Sequence, residues 1–146
     1  MILSASKDGV VILWSVCPQA LQSGNQDDED EVLKFNTEID IGEPLTKAKW
    51  LNQYEILIAT TQGNLYSAKV GKDVQGNYFL DHQNLIYKTD SCIWDFEVLK
   101  TEQIVIALDS GIVTVFTPST RNIGPIIAVS KTLLNFRISK WNLHCA

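Results

Sequence analysis

An all-β fold assembled from repeated antiparallel hairpins is what this sequence predicts, and two observations predict it. Three segments, starting at Ile2, Ile56 and Ile104, follow one template: an apolar run, a polar turn ending in glycine, then a second apolar run. A further alternating stretch precedes the second and third of them at the same distance from the turn glycine.

The hairpins follow from residue type and spacing. Each run is short, rich in β-branched or aromatic residues and bounded by turn residues, which is a strand signature. Aligned on Gly9, Gly63 and Gly111, the templates put Ile2, Ile56 and Ile104 in one column. Ala5, Ala59 and Ala107 fall in a second column, and Val11, Leu65 and Val113 in a third. The pairs Asp8-Gly9, Gln62-Gly63 and Ser110-Gly111 suit tight hairpins, because glycine accepts the positive φ such turns demand. A helix fails on the central glycine and on the shortness of the runs.

The preceding strands are Lys47-Ala48-Lys49-Trp50 and Ile93-Trp94-Asp95-Phe96-Glu97-Val98. Ala48 and Phe96 each lie fifteen residues before their turn glycine. Strict alternation turns Ala48 and Trp50 inward, and likewise Trp94, Phe96 and Val98, so Trp50 and Trp94 are expected to pack between units. The stretches from Val32 to Ile41, Leu85 to Lys88 and Pro125 to Val129 fit a fourth strand per unit. The turn glycines are 54 and then 48 residues apart. Four strands in that interval are the signature of a β-propeller blade. The expected architecture is therefore a single partial propeller domain over residues 1–146. Its blades fall roughly at 1–41, 45–88 and 92–129, and a further blade starts within 133–146, where Leu134-Asn135-Phe136-Arg137-Ile138 repeats the inner-strand pattern. Propellers close with about four to eight blades, so three blades predict a fragment, a short isoform or part of a larger ring.

The first hairpin carries a family resemblance. Ser4-Ala5-Ser6-Lys7-Asp8-Gly9-Val10-Val11-Ile12-Leu13-Trp14 resembles the second half of a WD40 repeat. The resemblance implies a structural hydrogen-bond network in which Ser4, Asp8 and Trp14 join a histidine. The later units depart from the pattern, with Ile58 and Ile106 at the Ser position, Gln62 and Ser110 at the Asp position, and Ala68 and Phe116 at the Trp position. No Gly-His dipeptide occurs, and Trp94-Asp95 is not the family's terminal Trp-Asp, because it sits on the inner strand. A narrower likeness runs from Thr37-Glu38-Ile39 through Leu45 to Leu51 and Ile56 to Gly63, and includes Tyr87-Lys88-Thr89-Asp90. This stretch resembles an early blade of the methylosome WD-repeat subunits, the propeller partners of the type II protein arginine methyltransferase. What these likenesses imply is a non-enzymatic scaffold or adaptor in a multiprotein complex, cytoplasmic or nuclear, with protein partners that include an arginine methyltransferase.

Composition limits the alternatives. The chain has 146 residues, 45% hydrophobic and 20% charged, with a net charge of -5. That charge argues against a nucleic-acid surface, which needs concentrated Lys and Arg. No apolar run is long enough to cross a bilayer as a helix, and the early charges of Lys7 and Asp8 do not suit a secretory signal. Cys17, Cys92 and Cys145 are widely spaced without a CxxC pair, and His82 and His144 stand alone, so free thiols and no metal site are expected. The absence of any Asn-x-Ser/Thr acceptor fits an intracellular address.

Candidates for chemistry are sparse. Asp95, Glu97 and Asp109 lie near strand ends, but nothing in their spacing makes two converge, and no G-x-S-x-G or phosphate-binding loop is present. No catalytic residue, cofactor or small-molecule substrate is expected. The acidic loop 22–31, with Asp27, Asp28, Glu29, Asp30 and Glu31, reads as a solvated insertion, or alternatively as a contact for a basic partner. The second reading makes the chain a reader of Arg- or Lys-rich peptides such as histone tails. Tyr78 and Phe79, in a segment longer than a blade needs, are either a partner contact or an ordinary fourth strand. Trp141 follows the last inner strand and is not placed by the pattern.

Overall fold

A computed structural model describes residues 1–16, 32–81, 83–119, 121–123 and 127–128. The described residues are all-β and contain no helix. The acidic loop 22–31, the segment 133–146, Cys17, Cys145, His82, His144 and Trp141 lie outside them, as do parts of the expected strand from Pro125 to Val129.

Among the described residues, thirteen strands form three antiparallel sheets, and no sheet closes on itself. The first sheet is β1 (Ile2–Ala5), β2 (Val10–Val16) and β3 (Leu33–Asp40), in that order. The second begins with β4 (Leu45–Asn52), β5 (Glu55–Thr60) and β6 (Asn64–Lys72). Its fourth position is split. β7 (Tyr78–Leu80) pairs with the far end of β6, and β8 (Asn84–Lys88) pairs with the near end. The third runs β9 (Ile93–Val98), β10 (Ile104–Leu108), β11 (Ile112–Thr117), again with a divided fourth position. There β12 (Asn122–Ile123) and β13 (Ile127–Ala128) pair with opposite ends of β11.

The register repeats as closely as the sequence columns do. Ala48 opposes Ile58 as Phe96 opposes Ile106, and Trp50 opposes Ile56 as Val98 opposes Ile104. On the other side of the central strand, Ile56 opposes Ala68 and Ile104 opposes Phe116, while Ile2 opposes Trp14 in the first sheet.

The sheets stack face to face, and the alternation of side chains along a strand decides which residues meet. Val11 and Leu13 of the first sheet pack with Ile56, Ile58, Ala68 and Val70 of the second. The opposite face of the second presents Leu57, Ala59 and Leu65 to Ile104, Ile106, Phe96 and Phe116 of the third. Strand β5 is thus covered on both sides, and Ile56 to Thr60 are all buried. Its near-continuous apolar composition reflects that double burial. Each of its large aliphatic side chains contributes about 1.5–3 kcal/mol of burial free energy. Among the described residues, β1 and β10, in the same place in the first and third sheets, contribute to a core on one side only.

One expectation is overturned. Trp94 does not pack between units; it is 61% exposed. The register between β9 and β10 shifts, so that Ile93 opposes Leu108 while Asp95 opposes Ala107. Trp94 is the extra residue of this β-bulge, which breaks the period of two and turns its ring outward. Ile93 and Phe96, three residues apart, consequently share the buried face. The second sheet has a shift at the equivalent place, between Leu45 and Lys47. Trp50, past that shift, is half-buried against the first–second sheet core, as alternation predicts.

Candidate interaction surfaces

The three turn glycines adopt φ of 102°, 82° and 81° at Gly9, Gly63 and Gly111. The amide of each donates back across its turn, to the carbonyls of Ser6 (3.2 Å), Thr60 (3.3 Å) and Leu108 (3.0 Å). These turns also anchor the links between sheets. The Gly9 carbonyl accepts from the Ile41 amide and the Gly63 carbonyl from the Thr89 amide, both at 3.0 Å. From the following sheet, Thr61 donates to the Pro44 carbonyl (2.9 Å) and Asp109 to the Cys92 carbonyl (3.0 Å). Each link is therefore held by the turns on both sides of it. The approach is closest at Gly63, where a Cβ would lie 2.2 Å from the Thr89 carbonyl oxygen and 2.5 Å from that of Ser91.

Two of the three expected network residues come together. Trp14 Nε1 donates to Ser4 Oγ at 2.9 Å, across strands β2 and β1. Asp8 is engaged elsewhere, accepting from the Ser6 hydroxyl and the Val10 amide, and these bonds hold its carboxyl below the usual range. It caps its own turn.

A second network was not legible in the sequence. Glu43, in the link between the first and second sheets, accepts from both Asn64 Nδ2 (2.9 and 3.0 Å) and Tyr66 OH (2.7 Å). Thr60 Oγ1 in turn accepts from the Asn64 amide at 3.2 Å. Burial pushes the Glu43 carboxyl up. The hydrogen bonds from Asn64, Thr60 and Tyr66, with the charge of Lys88, outweigh it and leave the carboxyl below its ordinary value. Burial, together with the hydrogen bond and charge of Glu43, pushes the Tyr66 phenol up to about 12. The corresponding place in the next link is Ser91, so alignment on the glycines passes over Glu43.

The edge strands β4 and β9 carry charge pairs between equivalent positions. Lys47 of β4 pairs with Asp95 of β9 at 2.6 Å, also donates to the Phe96 carbonyl at 2.9 Å, and lies over the Phe96 ring. Lys49 pairs with Glu97. Burial raises the Glu97 carboxyl, but its bond and charge contact with Lys49 bring it below the usual range. Asp95 and Glu97 are thus joined to lysines rather than to each other. Asp109 sits in the third turn beside Cys92, whose thiol is pushed up by burial and by the Asp109 charge. Exposed Trp94 lies at this same end of β9.

Tyr78 and Phe79 part company. Tyr78 is half-buried against the first–second sheet core with Lys72 over its ring, whereas Phe79 is exposed, its ring lying across Gly71 on the neighbouring strand. At the end of the stack opposite the turn glycines, a cleft of about 350 Å³ opens between the second and third sheets, lined by Leu51, Glu55, Ile86, Phe116 and Arg121 among others. Among the described residues, no group of three or more His, Cys, Asp or Glu side chains is placed to hold a metal ion.

Among the described residues, two apolar faces belong to neither core. Ile2, Ile12, Trp14 and Phe35 lie on the first sheet away from the second, and the Trp14 and Phe35 rings meet edge to face with centroids 6.0 Å apart. Val105, Ala107, Val113 and Val115 lie on the third sheet away from the second, half-buried. No protein-family model matches this chain, and no curated protein matches it.

Proposed function

We propose that the three sheets are successive blades of a WD40-type β-propeller and that the chain is a non-enzymatic scaffold for protein–protein interaction. The observation that carries this reading is the repeat of register, turn and link. Sheets of the same strand order stack through the same faces, with glycine turns clasping every link. Such a stack is rigid, and its turn end and inner edge offer docking surfaces of the kind an adaptor needs. The Trp14–Ser4 hydrogen bond supports the WD40 assignment, in the hairpin that resembles the family most. The narrower resemblance makes a type II arginine methyltransferase the partner to try first. Titration of that enzyme against the chain by calorimetry tests it. Saturable binding that is weakened by Trp94→Ala is expected, and the absence of heat removes the methyltransferase while leaving the scaffold reading to other partners.

A second reading is favoured by one observation. Exposed Trp94 stands at the end of the stack that also carries Asp109, and an aromatic face beside a carboxylate suits an Arg or Lys side chain. As a reader of basic peptides the chain binds an Arg-rich peptide with steep salt dependence. Titrations at two ionic strengths separate the readings, and a flat response removes the reader.

A further inference from the structure

The cleft between the second and third sheets combines an apolar floor with a rim of both charges. Leu51, Ile86 and Phe116 form the floor. Phe116 is buried, and Leu51 and Ile86 are half-buried against the core between these two sheets. Its walls are described strands of both sheets, so the cleft does not depend on what precedes the first sheet or follows the third. Its volume of about 350 Å³ is at the small end for ligand sites. On the rim, Glu55 opens β5, and Glu102 stands in the equivalent turn of the third sheet, between β9 and β10. Arg121 comes from the turn between β11 and β12. None of the three forms an ion pair with a described residue. Glu102 (φ 60°) and Arg121 (φ 53°) are also the described non-glycine residues with positive φ. A Cβ disfavours that conformation, and glycine would fill either turn with less strain. Both turns are nonetheless closed, the Glu102 amide donating to the Leu99 carbonyl (3.0 Å) and the Arg121 amide to the Pro118 carbonyl (3.4 Å). Two opposite charges are thus held at the cleft at a backbone cost, which is characteristic of a binding site.

We infer that this cleft binds the C-terminal end of another protein chain, an aliphatic last residue preceded by a basic one. The floor takes the aliphatic side chain. Arg121 takes the terminal carboxylate, for which a guanidinium is the matching fork of donors. Glu55 and Glu102, from equivalent turns on the other side of the cleft, take the Lys or Arg. From the β9–β10 turn to the β11–β12 turn the sheet crosses about two strand spacings, roughly 10 Å. An extended chain covers that distance in about three residues. A free amino acid carries its two charges on one carbon and cannot reach both ends. A simple anion, or a purely apolar ligand, leaves one sign of the rim unmatched. The site lies at the opposite end of the stack from Trp94 and the turn glycines. It therefore goes beyond the scaffold reading, and it stands whether or not the stack closes into a ring.

Titration of the full chain with the tripeptide acetyl-Arg-Gly-Leu, bearing a free carboxylate and followed by ¹H–¹⁵N NMR, tests the inference. Saturable shifts are expected at Leu51, Ile86, Phe116 and the two turns. The same peptide capped as an amide is expected to bind about two- to fivefold more weakly, the worth of one surface ion pair. Arg121→Gln is expected to weaken the acid by that factor and to stop distinguishing acid from amide. Glu102→Gln weakens both peptides and still distinguishes them. A merely structural role for Arg121 does not produce that difference, and circular dichroism reports that both variants keep their sheets. Equal binding of acid and amide by the unaltered chain overturns the inference. So do shifts confined to other surfaces, or none at millimolar peptide, and these results leave the scaffold reading to its own test.

Discussion

Lys47 and Asp95 hold the same place in two successive sheets and meet across the boundary between them, 2.6 Å apart. Position for position, Lys49 and Glu97 do the same. A repeat that placed like charges in these columns would repel itself at every boundary. Here the column changes sign from one unit to the next, so the two sheets attract where these positions meet.

The pairs are half-buried, so their worth is modest and depends on salt. A double-mutant cycle on Lys47→Met and Asp95→Asn is expected to give a coupling of about 0.5–1 kcal/mol by denaturant unfolding. The coupling shrinks as salt is raised. A salt-independent coupling means that the contact of Lys47 with the Phe96 ring and carbonyl, not the ion pair, carries the effect.

The Glu43 cluster predicts sensitivity at both ends of the pH range. Glu43 has an ordinary value of 4.5 and a lowered one in the fold. Its contribution is therefore fully present above about 4.5 and is lost as pH falls through the lowered value. Tyr66 has the opposite sign. Its phenol is raised from 10.0 to about 12, so its contribution is present below 10 and is lost as pH rises towards 12. Ultraviolet titration of the tyrosines should show a late component that disappears in Tyr66→Phe. Glu43→Gln is expected to cost about 1–2 kcal/mol at neutral pH, to flatten the acid limb of stability, and to bring the late tyrosine earlier.

Gly63 and Gly76 share a positive φ, 82° and 86°, and differ in what surrounds them. Gly76 has open space where a Cβ would go, so Gly76→Ala is expected to cost only the left-handed backbone penalty, about 1 kcal/mol. At Gly63 the Cβ meets two carbonyl oxygens, and the link must move. Gly63→Ala is expected to cost at least twice as much, read as the difference in urea midpoint. Equal midpoints show that the link yields freely.

Trp94 is exposed on its bulge, and replacing it should leave the fold alone. Trp94→Phe is expected to change stability by no more than about 0.5 kcal/mol and to remove one iodide-quenchable component of the tryptophan emission. A large loss of stability means that the ring is packed.

Much of the architecture was legible because it is written in short-range patterns. The turn glycines, the alternating strands and the fifteen-residue offset of Ala48 and Phe96 are local, and each reappears in the paired strands. Ser4 and Trp14 were placed in one network only by the family resemblance; in the hairpin register they are diagonal neighbours, Ser4 opposing Ile12 and Trp14 opposing Ile2, and the indole bridges that diagonal. Trp94 was misplaced because a bulge inserts one residue into the alternation, and no feature of Ile93-Trp94-Asp95 announces it. Asp8 was assigned to a network by resemblance, while the nearer donors Ser6 and Val10 hold it.

The sequence by itself determined that this chain is built of β-hairpins, where they turn and how often they repeat. Local backbone preference and side-chain periodicity suffice for that. Only the tertiary structure decided that β5 is buried on both faces, that Glu43 reaches Asn64 and Tyr66, and that Lys47 finds Asp95. Those outcomes depend on how sheets stack across dozens of residues, and periodicity within one strand carries no information about the partner that will cover it.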